Sequence, residues 1–206
     1  MVKAKWPFVF KSEYFLKHFE LLTNADLMKL FSSIGELQST RVYNYLNDQN
    51  DSYNLSELQD LQSKPNVTWS YVMLVMIFKE DLKELIVCQD SLKTEKLPCT
   101  PCIVAIGPSI FHASKYVLIV DKDIPSLSVA MAMQFAAFFI FDICFPKKLM
   151  NTLKAFQRFI LKFRYENSFI PKNKKKKISV NDQVLKFAAD LAKYEAYLEC
   201  DLSAIE

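Results

Sequence analysis

The chain has 206 residues, 51 % of them hydrophobic and 24 % charged, with a formal charge of +3; this mixture suits a folded protein and excludes a chain disordered throughout. It holds two glycines, Gly35 and Gly107, whereas phosphate-cradling loops need several for close backbone approach, so Walker-type and Rossmann-type nucleotide sites are excluded. Five cysteines, an odd number, read as reduced thiols, and the opening "MVKAKWPFVF" lacks the long apolar region of a secretory leader, so an intracellular protein, cytoplasmic or nuclear, is expected.

In chain order, "FKSEYFLKHFELL" sets Phe15, Phe19 and Leu22 at helical spacing with Ser12 as a cap. "TNADLMKLFSSIGELQSTRVYNYLN" repeats the pattern through Leu27, Leu30, Phe31, Ile34, Leu37, Tyr45 and Leu46, with Thr23 or Asn24 as its cap. Together they predict a helical hairpin over 11–47. Residues 47–66 are polar and turn-rich, a loop with at most one short helix at Ser56–Leu61. The pattern then changes. "WSYVMLVMIF", "ELIVCQ", "CIVAIG" and "KYVLIVDKDI" are short apolar runs with strand formers and turn signals at their ends, so a small sheet of about three or four strands is expected.

Helical signal returns after Pro125. "SLSVAMAMQFAAFFIFDICF" is too long for one strand, and it ends at Pro146. From Leu127 to Phe145 there are 19 residues, close to a membrane span of about 20. Ser128, Gln134 and Asp142 share about one third of the helical wheel, however, and several alanines invite close neighbours. The reading is a buried central helix over 127–145 whose polar sector, Gln134 and Asp142, must find hydrogen bonds. "KKLMNTLKAFQRFILKF" follows with Leu149, Leu153, Phe156, Ile160 and Phe163 on one stripe. "NDQVLKFAADLAKYEAYLE" forms a last helix on Val184, Phe187, Leu191, Tyr194 and Leu198. The expected class is α+β: one domain over 1–206, with an N-terminal helical region over 1–48, a polar loop over 49–66 and an α+β core over 67–206 whose C-terminal helices pack around the apolar one.

Several weak chemical signals remain. "CTPC", Cys99 to Cys102, has CxxC spacing, but no second close pair supplies a zinc site, and the motif runs into a strand rather than a helix start. Ser109, His112 and Ser114 in "GPSIFHAS" lack a nucleophile elbow and read as turn hydroxyls. Asp121 and Asp123 leave a strand as turn formers. No catalytic residue, metal ligand or cofactor is assigned. "KNKKKK" is the sharpest charge feature: Lys172, Lys174, Lys175, Lys176 and Lys177, extended by Lys162 and Arg164, can contact phosphates, and Phe163, Tyr165 and Phe169 interleave as stacking candidates.

"WPFVF…HFELLT", "TPCIVAIGPSIF", "FFIFDICFPKKLMNTLKAFQRFI" and "KKKKISVNDQVLKFAADLA" together resemble uncharacterised animal proteins of the sterile-alpha-motif-domain-containing-protein-like family, numerous in fish. The likeness covers most of the chain in order and resembles the region downstream of the sterile alpha motif. The resemblance implies a mobile-element-associated or immune-related expansion with no catalytic position to carry over, and it transfers no polymerisation by the motif itself. The chain is short and lacks that family's N-terminal region, which leaves open whether it acts alone or as a fragment. The expected function is therefore a non-catalytic intracellular interaction or self-association module, with exposed-capable Tyr43, Tyr45, Tyr53 and Tyr165 suited to an interface. The alternative is nucleic-acid binding through the lysine run. No membrane or small-molecule partner is expected.

Overall fold

A computed structural model describes residues 11–48, 67–91, 97–110, 112–118, 124, 126–163 and 181–203. The elements are α1 (Ser12–Thr23), α2 (Leu27–Asp48), α3 (Val67–Ile77), a 3₁₀ turn (Leu82–Glu84), β1 (Ile86–Gln89), β2 (Ile103–Ile106), β3 (Lys115–Val117), α4 (Leu127–Ile140), a 3₁₀ turn (Lys147–Leu149), α5 (Met150–Ala155) running into a π turn (Phe156–Ile160), and α6 (Asp182–Ser203). The fold is α+β. The chain divides into two compact units, Met1–Ser33 with Lys79–Met150 and Ile34–Phe78 with Asn151–Glu206. The helical region expected at the N-terminus is thus shared, because the second unit takes most of α2.

In the first unit α1 buries Phe15 and Phe19, one turn apart. Ser12 does not cap it but is its first helical residue, preceded by an extended Lys11 that makes no side-chain cap. Asn24 ends α1 in the left-handed region, φ 56°, with its N–H donating to the Glu20 carbonyl at 2.7 Å, a conformation asparagine tolerates. Asp26, rather than Thr23 or Asn24, caps α2: its carboxylate accepts from the Lys29 N–H at 3.0 Å.

The sheet order is β1-β2-β3. β1 runs parallel to β2 with Ile86 beside Ile103, and β3 returns antiparallel with Tyr116 beside Ala105. α4 packs against β2 and β3 on one side and against α1 on another. Phe19 meets Phe135 and Phe139 at 6.4 and 5.6 Å, and Phe15 meets Phe141 at 5.8 Å. The N-terminal end of α1 therefore lies at the C-terminal end of α4, an antiparallel pair. Leu127 and Ala130 to Phe138 are all buried, so the buried apolar helix is present.

It is shorter than 127–145. The Ile143 N–H donates to the Phe138 carbonyl at 2.8 Å and the Asp142 N–H to Phe139 at 3.3 Å. That bond pair is a Schellman cap, with Asp142 at the left-handed position, φ 51°. Asp142 is exposed there and does not belong to a buried polar sector.

In the second unit the sequence reading needs one larger correction. Residues 69–78, expected as a strand, belong to α3 and its C-terminal turn. Trp69 to Val75 are all buried, so the segment is apolar around its whole circumference and carries no 3.6-residue signal; such a run is ambiguous between buried helix and buried strand. Tyr71 packs on Phe156 of the π turn with centroids 4.2 Å apart. Phe187 of α6 meets Tyr45 and Phe78 at 5.4 and 5.5 Å. The expected stripe Leu149, Leu153, Phe156, Ile160 and Phe163 is buried throughout. Lys162, φ 48°, closes this stretch. No helix among the described residues is long and apolar enough to cross a membrane.

Candidate functional site

The 107–114 loop joins β2 to β3 and is built by its glycine. Gly107 sits at φ +152°, and a Cβ there would lie 2.8 Å from the Ala113 Cα, so the chain folds back only with glycine. The loop brings Ser109 and His112 together: Ser109 Oγ and His112 Nδ1 are 2.9 Å apart, and the His112 N–H donates to Ser109 Oγ at 3.2 Å. The backbone contact makes Ser109 a turn former. Ser114 is directed elsewhere, donating to the Ile106 carbonyl at 2.9 Å. Tyr116 Oη donates to the Ile110 carbonyl at 2.9 Å; burial, then Cys88 nearby, push its phenol upward. His112 is exposed and pairs with no acidic group among the described residues. A hydroxyl–imidazole contact without an orienting acid or a walled pocket does not assemble nucleophilic catalysis.

The CxxC cysteines differ in environment. Cys99 is exposed and Cys102 is buried, both as free thiols. Burial, with Glu84 adding to it, pushes the Cys102 thiol up to about 12. Its sulfur donates weakly to the Lys83 carbonyl at 3.7 Å. A reactive CxxC needs a thiolate favoured by its surroundings; Cys102 has the reverse. Among the described residues no group of three His, Cys, Asp or Glu side chains could hold a metal ion. Asp121 and Asp123 lie outside the described residues.

Gln134 is fully buried, and its amide nitrogen donates to the Leu85 and Pro101 carbonyls, both at 2.9 Å. These carbonyls stand immediately before β1 and just before β2. One helix side chain thus ties the entry of both parallel strands to α4. The role is structural, and it satisfies two backbone acceptors that would otherwise be orphaned in the core.

The least conventional surface is on α1. Tyr14, Leu21 and Leu22 are 51, 75 and 45 % exposed, and Phe141, whose ring meets Phe15, is 41 % exposed. At 100° per residue Tyr14 and Leu21 point within about 20° of each other, and His18 and Leu22 follow them round toward buried Phe15. Sequence reasoning placed Leu22 on the buried stripe and missed Tyr14 and Leu21. The signal was available: the apolar arc of "EYFLKHFELL" is wider than the stripe one core contact covers. Lys17 flanks the arc, paired with Glu20 at 2.8 Å.

The aromatic residues expected at an interface fare differently. Tyr43 is 40 % exposed against Trp69 at 5.6 Å. Tyr45 is half-buried between Phe187 and Tyr194. Tyr53 and Tyr165 lie outside the described residues, as do Lys172, Lys174, Lys175, Lys176, Lys177, Arg164 and Phe169. Phe163 is described and buried at 6 %, so it is not a stacking platform, while Lys162 beside it is exposed.

Comparison with protein-family models, with curated proteins and with solved structures finds no match.

Proposed function

We propose that this chain is a non-catalytic protein-interaction module that binds through the outer face of α1. The observation that carries this reading is the exposure of Tyr14, Leu21 and Leu22 on a helix whose other face is packed through Phe15 and Phe19. Isolated apolar residues on a surface are ordinary, whereas several on one face beside a ring such as Phe141 form a patch of the kind that docks a partner. The buried Cys102 thiol and the turn-bound Ser109 support a non-catalytic role. The family resemblance agrees with it, since it carries over no catalytic position. A photo-crosslinking side chain at His18 tests the reading: it is expected to trap a protein, and Leu21→Asp is expected to cut that yield at least five-fold. A yield indifferent to Leu21→Asp overturns it.

A second reading rests on the lysine run at 172–177, with exposed Lys162 near its start. Nucleic-acid binding there predicts affinity that falls steeply with salt and is lost when Lys174 to Lys177 are changed to Gln. Fluorescence anisotropy with a single-stranded oligonucleotide at two salt concentrations checks this; affinity that survives the substitution removes it.

A further inference from the structure

We infer that the occupant of the α1 face is a second copy of this chain, docked with the two α1 helices antiparallel. This rests on the reading of α1 as an interaction surface and adds the partner. Two properties of the helix lead to it.

The first is symmetry. Tyr14 and Leu21 lie at equal distances from the middle of α1, between Lys17 and His18. A two-fold axis through that point sets Tyr14 of each copy on Leu21 of the other, with Leu22 about one residue out of register and the His18 side chains near the axis. An isologous interface requires such a self-complementary patch, and two-fold dimers are the commonest closed assemblies.

The second is charge. Lys17 and Glu20 lie along one flank of the apolar arc, with side chains 60 and 38 % exposed. In an antiparallel pair that flank faces its own copy in reverse order, and Lys17 comes within a turn of the other copy's glutamate, twice. The present Lys17–Glu20 bridge is exposed, so exchanging it across copies costs little, and its main effect is to fix orientation.

The patch also sets the strength. Four half-exposed or better side chains of ~150–250 Å² each offer on the order of 400 Å² per copy. Two such faces fall below the ~1,200 Å² of stable interfaces, so association is weak and transient. A dissociation constant on the order of tens to hundreds of micromolar is expected.

Sedimentation equilibrium of the full chain from about 10 µM to about 1 mM, a range that brackets this constant, tests the inference. The mean mass is expected to climb from monomer toward dimer over that range, and Leu21→Asp, at a 75 % exposed position, is expected to weaken association at least ten-fold at unchanged thermal stability. Lys17→Glu alone and Glu20→Lys alone are each expected to weaken it, while an equimolar mixture of the two restores it, because one copy then offers only carboxylates and the other only ammonium groups. A chain still monomeric at the top of the range, association untouched by Leu21→Asp, or a mixture no stronger than the single variants overturns self-pairing. The broader reading fails separately: if the pure chain stays monomeric while the His18 crosslinker traps a different protein in a Leu21-dependent way, self-pairing falls and the interaction face stands. If neither occurs, both fall.

Discussion

The two units solve the problem of burying a helix in opposite ways. In the first, among the described residues, the core around α4 is apolar apart from Gln134, whose amide nitrogen has two carbonyl partners at 2.9 Å. In the second, Gln38, Ser39, Arg41, Thr68, Ser70 and Thr152 are all buried, together with the whole of Tyr71. The Ser70 and Tyr71 hydroxyls and the Gln38 amide nitrogen have no hydrogen-bond partner. Each such orphan costs about 1–3 kcal/mol. The first unit therefore draws its stability from close aromatic packing around a glutamine that anchors two strands, whereas the second retains polar groups that weaken it. A helix can be wholly buried in either setting, and burial alone does not tell a well-specified core from a costly one.

Truncating the aromatic hub of the first unit is the strongest way to break this comparison. Phe19 is fully buried and touches Phe135 and Phe139. Phe19→Ala is expected to lose about 3–5 kcal/mol through lost burial and a residual cavity. Urea unfolding followed by circular dichroism measures it. A loss below ~1 kcal/mol, well under that range, would mean that α1 is loosely held and that the contrast between the units is false.

The next variant puts an orphan into the first core. Gln134→Glu keeps the shape but replaces the donating amide by a carboxyl group facing the Leu85 and Pro101 carbonyls. The protonated form can donate to one of them, and the carboxylate to neither. The folded-state pKa is thus raised above the unfolded value of ~4.3. Relative to the parent chain at the same pH, the loss is smallest below ~4.3, grows as pH rises through the folded pKa, and then levels off. About 2–4 kcal/mol is expected at neutral pH. Unfolding midpoints of both chains from about pH 4 to about pH 8 give the curve, and a pH-independent difference would show that the two carbonyls are not what Gln134 serves.

How far the sequence carried these features depended on which physical signal it encodes. α4 was legible because its length and alanines exclude a strand. The stripe through Leu149, Leu153, Phe156 and Ile160 was legible because amphipathic periodicity has one solution. α3 was not, because a segment buried on every side has no period to read, and its Tyr, Val and Ile favour a strand by propensity. Asp142 was misplaced because a Schellman cap ends α4 before Phe145, without the glycine that normally marks such a stop. The outer face of α1 was hidden for the opposite reason: its apolar residues were all visible, but one periodic stripe was assumed to account for them.

The smallest expected effect runs in the stabilising direction and separates the units most cleanly. Tyr71 is fully buried, its ring lies 4.2 Å from Phe156, and its hydroxyl has no hydrogen-bond partner. Tyr71→Phe keeps the ring contact and removes only the orphan, so a gain of about 1 kcal/mol is expected. Burial also pushes the Tyr71 phenol above its ordinary value of 10.0. A group that ionises more readily in the unfolded chain than in the folded one leaves stability intact below pH ~10 and erodes it as pH rises beyond that. The Phe variant lacks this ionisation, so its advantage should widen between about pH 9 and about pH 11. Thermal unfolding of both chains across that range checks the gain and its slope together. A destabilised variant would mean that the hydroxyl is satisfied, and the second core would then be no less well specified than the first.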